Sequence, residues 1–172
     1  MFNKSKEKHV IDYLIKPGHI FVSEKPAMIS AVLGSCVSVC IYDNRLKIGG
    51  MNNFRLPVAE HSSRSTACYG NIATSALINM MIDTGSKVKY LEAQIFGGSS
   101  QPDSPAPKKD IAQDNIKIAR NILKKKGIPI VSQDIGGEKG RKIVFDTISN
   151  QILVLKVDKI RKSDWYPYED QR

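Results

Sequence analysis

The chain has 172 residues, 41% of them hydrophobic, which suits one domain with a buried core and argues against a chain that is disordered throughout. Lys and Arg number 26 against 17 Asp and Glu, a formal charge of +9 that favours acidic partners, but scattered basic residues, 7% aromatics and no recognised motif argue against nucleic acid. No stretch approaches the roughly 18 apolar residues of a membrane span and the N-terminus has no apolar signal core, so a cytoplasmic protein with no membrane insertion is expected.

Residues 1–17 read as a loosely docked N-terminal extension ending at Pro17-Gly18. "HIFVS" (19–23) and "AMISAVL" (27–33) are predicted strands about a turn at Glu24-Lys25-Pro26. "CVSVCIYD" and "KIGGMNNF" read as a hairpin about Asp43 to Leu46, followed by a polar loop through "AEHSSRSTA" (59–67). Ile72, Ala76, Leu77, Met80 and Met81 recur at helical spacing in Tyr69 to Asp83, and Gly85 is the natural stop. "KVKYLEAQIF" (87–96) is a strand closed by Gly97-Gly98, and the Pro-rich loop after it leads to a helix from about Asp110 to Lys126. The run Lys124-Lys125-Lys126 then offsets the negative end of the helix dipole. "IPIVSQDIGG" (128–137) is a further strand, and "RKIVFD" with "QILVLKV" a second hairpin. The order predicts a single mixed α/β (α+β) layered sandwich, largely antiparallel strands and hairpins with two main helices, over 18–158, with a charged tail at 159–172.

The first hairpin holds a candidate nucleophile, Cys36, for which an ordinary structural thiol is the alternative reading. A turn centred between Asn44 and Arg45 pairs residues whose numbers sum to 89, which sets Cys36 opposite Asn53 with Cβ atoms about 5 Å apart. Cys36, Ser38 and Cys40 share one face of the strand, and Val37, Val39 and Ile41 the other. Cys40 lies about 13 Å along the strand from Cys36, too far for a disulfide. Three cysteines at 36, 40 and 68 form neither a disulfide framework nor a zinc-ligand spacing, and no metal or cofactor is expected. Cys40 and Cys68 read as ordinary thiols. Cys36 follows Gly34-Ser35, a turn that can expose a backbone N–H beside the thiol as an oxyanion donor. Gly49-Gly50 either leaves room beside Cys36 or marks a bulge.

"LGSCVSVCIYD", "KIGGMNNFRLP", "YGNIATSALINMMI", "LEAQIFGG", "NIKIARNILKKKGIPIVSQDIGG" and "GRKIVFD", in this order over about 18–155, resemble the CheD family of bacterial chemotaxis, deamidases of chemoreceptor glutamines. The resemblance implies that Cys36 is the nucleophile, forming a thioester with the glutamine side chain and releasing ammonia. The family's threonine falls on Ser30, which keeps a hydroxyl, and its histidine base falls on Asn53. An asparagine amide cannot take the thiol proton, so reduced turnover is expected. His61, eight residues beyond Asn53, is the candidate substitute base; His9 and His19 read as ordinary histidines. The implied partners are the cytoplasmic domain of a methyl-accepting chemoreceptor and a CheC-type phosphatase, met by a monomer. A non-catalytic adaptor holding either of them is the alternative function.

Overall fold

The computed structural model describes residues 9–60, 66–100 and 110–161. Their strands are β1 (Ile11–Leu14), β2 (His19–Ser23), β3 (Ala27–Leu33), β4 (Val37–Asp43), β5 (Ile48–Asn53), β6 (Leu91–Gly97), β7 (Ile130–Ile135), β8 (Gly140–Asp146) and β9 (Ile152–Val157). The helices are α1 (Gly70–Asp83) and α2 (Ile111–Lys126). One sheet runs β1-β3-β8-β9 and the other β2-β5-β4-β6-β7. Only the pairs β1–β3 and β6–β7 are parallel, so the α+β sandwich of largely antiparallel strands is the fold observed.

β4 explains the layering. Every residue from Val37 to Asp43 is buried, because the strand is central in its sheet and covered on both faces. Val37, Val39 and Ile41 pack with Leu77, Ile78 and Met81 of α1 and Ile116 and Leu123 of α2. Cys40 and Tyr42 meet Ile29, Leu33, Ile143 and Phe145 of the second sheet. The result is three layers, helices on sheet on sheet. Each large apolar side chain buried between them contributes about 1.5–3 kcal/mol.

Two sequence expectations change. Ile11–Leu14, read as part of a loose extension, pairs in parallel with β3, and Ile15 beyond it is 1% exposed, because an apolar 11/13/15 alternation faces the inter-sheet core. In α1 the buried face is Gly70, Ala73, Thr74, Leu77, Ile78 and Met81, whereas Met80 is exposed. The true stripe is rotated because it takes in the small residues Gly70 and Ala73, at positions 3 and 4 apart from the large ones.

Candidate functional site

Cys36 sits where the Gly34-Ser35 turn enters β4, and it is 7% exposed. Gly98 N–H donates to Cys36 O at 2.8 Å and Ser99 N–H to Gly34 O at 2.9 Å, so the end of β6 grips the turn by its backbone. Gly97 has φ +105, and a Cβ there would overlap Cys36 O. Glycine is thus required by both conformation and space.

The hairpin register differs from the one expected. The closing pair is Asp43–Ile48 about a four-residue loop, and paired numbers sum to 91 down to Cys40–Met51. Asp43 causes the shift: its Oδ1 accepts from Arg45 N–H at 2.8 Å and Leu46 N–H at 2.9 Å, while Lys47, at φ +58, donates its N–H to Asp43 O. Val37 and Phe54 exchange both backbone hydrogen bonds at 3.1 and 3.0 Å in the same register. Arg55 therefore lies alongside Cys36 and Asn53 alongside Ser38. A shift of two residues keeps the face, so Cys36 and Asn53 are diagonal rather than opposed, a relation that spaces residues by about 7–8 Å.

Asn53 is fully buried. Its Nδ2 donates to Ile15 O at 3.3 Å, and its Oδ1, like the hydroxyl of Ser38, has no partner among the described residues. Asn52 points to the helix side, where its Oδ1 accepts from Val39 N–H at 2.8 Å and replaces a rung of the β4–β5 ladder. Gly49 and Gly50 make no room for Cys36: Cβ atoms there would strike the Phe145 ring and the side chains of Val22 and Leu77. They let the second sheet and α1 approach.

Ser30 does not join the site. It pairs with Leu14 and Val144, while its neighbours Ile29 and Ala31 fill the inter-sheet core, so its side chain is on the far face of the other sheet. His61 lies outside the described residues. His19 pairs directly with Asn53 across β2–β5, but it is exposed and two strands from β4, about 10 Å away in the sheet, with Nδ1 within 3.3 Å of Pro17 O. His9 is exposed.

The Cys36 thiol opens into a cavity of ≈ 580 Å³ lined by Ser35, Cys36, Arg55, Leu56, Thr66, Cys68, Tyr69 and Ile111. None of these is a carboxylate or an imidazole. Burial pushes the Cys36 thiol up to about 11, and Arg55 pulls it back in part. Cys40, fully enclosed between the sheets, is pushed higher still by burial alone. Among the described residues no group of His, Cys, Asp and Glu is placed to hold a metal, and no helix is long and apolar enough to cross a membrane.

Comparison with known proteins bears on what this cavity is for. Residues 56–156 match the family model described as "CheD chemotactic sensory transduction". The "Probable chemoreceptor glutamine deamidase CheD" of Sulfurimonas denitrificans is 38% identical over 146 residues, 84% of this chain and 94% of that protein. The chain belongs to the CheD family. Similar relatives are the "Probable chemoreceptor glutamine deamidase CheD 2" of Shewanella oneidensis, 41% identical over 77% of this chain and 70% of that one, and the Trichlorobacter lovleyi "Probable chemoreceptor glutamine deamidase CheD", 35% identical over 83% and 88%.

Three parts of this CheD-family cavity escaped the sequence reading. Arg55 was hidden by the register, which the Asp at position 43, a strong turn-starting residue, would have corrected. Asn115 of α2 is fully buried, and its Nδ2 donates to Ser35 O at 3.1 Å and Arg55 O at 2.9 Å, tying together the two segments that flank the thiol. Its signal was a polar residue on the helix face shared by Ala112, Ile116, Ala119 and Leu123. Cys68 lines the cavity and donates no chemistry that its sequence context announces; its backbone carbonyl accepts from Arg55 and Leu56 N–H and holds the wall in place.

Proposed function

We propose that this CheD-family protein acts on chemoreceptors in the cytoplasm, with Cys36 as the nucleophile of a glutamine side-chain deamidation. The thiolate attacks the carboxamide carbon, and the tetrahedral oxyanion collapses to the thioester as the nitrogen takes a proton from solvent and leaves as ammonia. Water then cleaves the γ-glutamyl thioester to glutamate and the free thiol. The observation that carries this reading is a cysteine at a backbone-gripped turn that lines a cavity in a chain of this family.

Turnover is slow in this reading, because Asn53 stands where the base is expected and a buried thiol near 11 is almost wholly protonated at neutral pH. Losing general acid–base help costs about 10²- to 10⁴-fold. The same observation favours a second reading, a non-catalytic adaptor that holds receptor helices or a CheC-type phosphatase.

Incubation with receptor cytoplasmic fragments, followed by mass spectrometry for glutamine-to-glutamate conversion, decides between them. Asn53→His is expected to convert faster than the parent, and Cys36→Ala not at all. Conversion by neither parent nor Asn53→His, with retention of the fragments in a pull-down, favours the adaptor. Equal conversion by both, abolished in His61→Ala, places the base at His61.

A further inference from the structure

Arg55 is the charged residue of the cavity lining and stands alongside Cys36 across the β4–β5 junction. Its side chain is exposed, and among the described residues no carboxylate is within ion-pair distance of its guanidinium. Its backbone, by contrast, is held at both ends: N–H donates to Cys68 O at 2.9 Å and the carbonyl accepts from Asn115. A pinned backbone beneath a cation with no carboxylate partner among the described residues, beside the Cys36 sulfur and in a cavity lining with no acidic group, is an arrangement that recruits anions. Guanidinium stays protonated at any working pH, so it cannot serve as the missing base. What it can do is attract negative charge, on the thiolate and on whatever approaches it.

We propose that Arg55 makes Cys36 selective for reactants that carry a negative charge beside the reacting carbon, so that the target side chain comes from an acidic stretch of polypeptide. This rests on the reading of Cys36 as the nucleophile and adds the class of its substrate. The excess of 26 basic over 17 acidic residues reinforces the same preference at longer range.

Two alkylating reagents of similar shape test the idea without any deamidation. Iodoacetate is anionic and iodoacetamide neutral, and peptide mapping reads carboxymethylation or carbamidomethylation at Cys36 separately from Cys68. Taking the ratio of the two rates cancels the thiolate fraction, which is common to both, and isolates the attraction for reagent charge. Replacing Arg55 with Gln is expected to lower the iodoacetate-to-iodoacetamide ratio about five-fold, the scale of a unit charge pair at a few ångströms in mostly aqueous surroundings. Arg55→Lys keeps the ratio, and raising salt to about 0.5 M lowers it in the parent, because exposed charges are screened within about 10 Å. An unchanged ratio in Arg55→Gln, or an equal fall in Arg55→Lys, overturns the proposal while leaving Cys36 as nucleophile. Failure of both reagents to label Cys36 at any pH overturns this proposal and the catalytic reading together.

Discussion

Replacing Asn115 with Ala removes a side chain that spans the two segments flanking the thiol. The wild-type amide donates to Ser35 O at 3.1 Å and Arg55 O at 2.9 Å from a fully buried position. Each hydrogen bond contributes about 1 kcal/mol net, and leaving a buried carbonyl unsatisfied costs about 1–3 kcal/mol. Against this, the Ala variant also removes Asn115 Oδ1, a buried acceptor with no partner among the described residues, and so recovers part of the loss. The balance is a destabilisation of about 2 kcal/mol, or roughly 4–8 °C in Tm for a chain of this size. Urea unfolding should show a lower midpoint at unchanged slope, since the surface exposed on unfolding hardly alters. Asn115→Asp keeps the shape but offers no donor and sets a carboxylate against two carbonyls, so it should cost more than Ala. Cys36 alkylation should also accelerate in both variants as the cavity wall loosens. A midpoint within experimental error of the parent for Asn115→Asp would refute the reasoning, because it would mean that the amide does not donate to these carbonyls.

With the Cys36 thiol raised to about 11, about one molecule in ten thousand carries the thiolate at pH 7. Its alkylation rate is expected to climb about tenfold per pH unit from 7 to 10; a plateau near the ordinary thiol value of 9.0 would contradict the burial argument. The same shift makes stability fall at high pH. Below pH 9 the thiol is protonated in both folded and unfolded chains, but between 9 and about 11 the unfolded chain loses its proton first, so the folded state binds more protons and is destabilised by up to about 3 kcal/mol. Urea midpoints at pH 8.5 and 10.5 should therefore converge in Cys36→Ser relative to the parent, and an identical alkaline fall in both would exclude Cys36 as a contributor. Gly97→Ala should cost about 1–3 kcal/mol for its positive φ alone, and more for the overlap with Cys36 O, read as a loss of Tm together with altered Cys36 labelling.

Most of the layered fold was legible because each element announced itself by a local rule. The β-branched runs of β4, β8 and β9, and the stops at Gly85 and Gly127, depend on spacing and on turn chemistry within a few residues. What failed was what depends on partners. Ile11–Leu14 is too short to declare itself, and it becomes a strand only because β3 offers it an edge. The stripe of α1 was misassigned because Gly70 lies against Phe54, where a Cβ would clash, and a close approach of that kind has no signature in apolar periodicity. In the candidate site, the turn before Cys36 was legible locally while its role came from the family resemblance, and its neighbours were assigned through a register that one carboxylate displaced by two residues. Parity survived that displacement, so the face was right and the opposing residue was not. Ser30, assigned by the resemblance and not by local pattern, lies on a strand of the other sheet, and alternation along that strand turns its side chain from the inter-sheet core.

The corrected register separates two questions that the expected one had merged. Had Asn53 opposed Cys36 directly, a change at that position would have altered the wall of the cavity as well as its chemistry. Instead Asn53 sits behind the thiol, enclosed between the sheets and held by Ile15 O, and it is not among the residues that line the cavity. The walls are set by the Gly97-Gly98 backbone, by the Asn115 amide and by the Cys68 carbonyl, none of which uses the side chain at position 53. An imidazole N–H could make the same bond to Ile15 O and leave its second nitrogen free to accept a proton. Under the proposed deamidation, the shape that receives a substrate and the position expected to activate the thiol are thus carried by different residues, so an Asn at 53 would leave recognition undisturbed. Arg55 then becomes the electrostatic feature beside Cys36 that the substitution at 53 leaves intact, and it acts on charge rather than on protons.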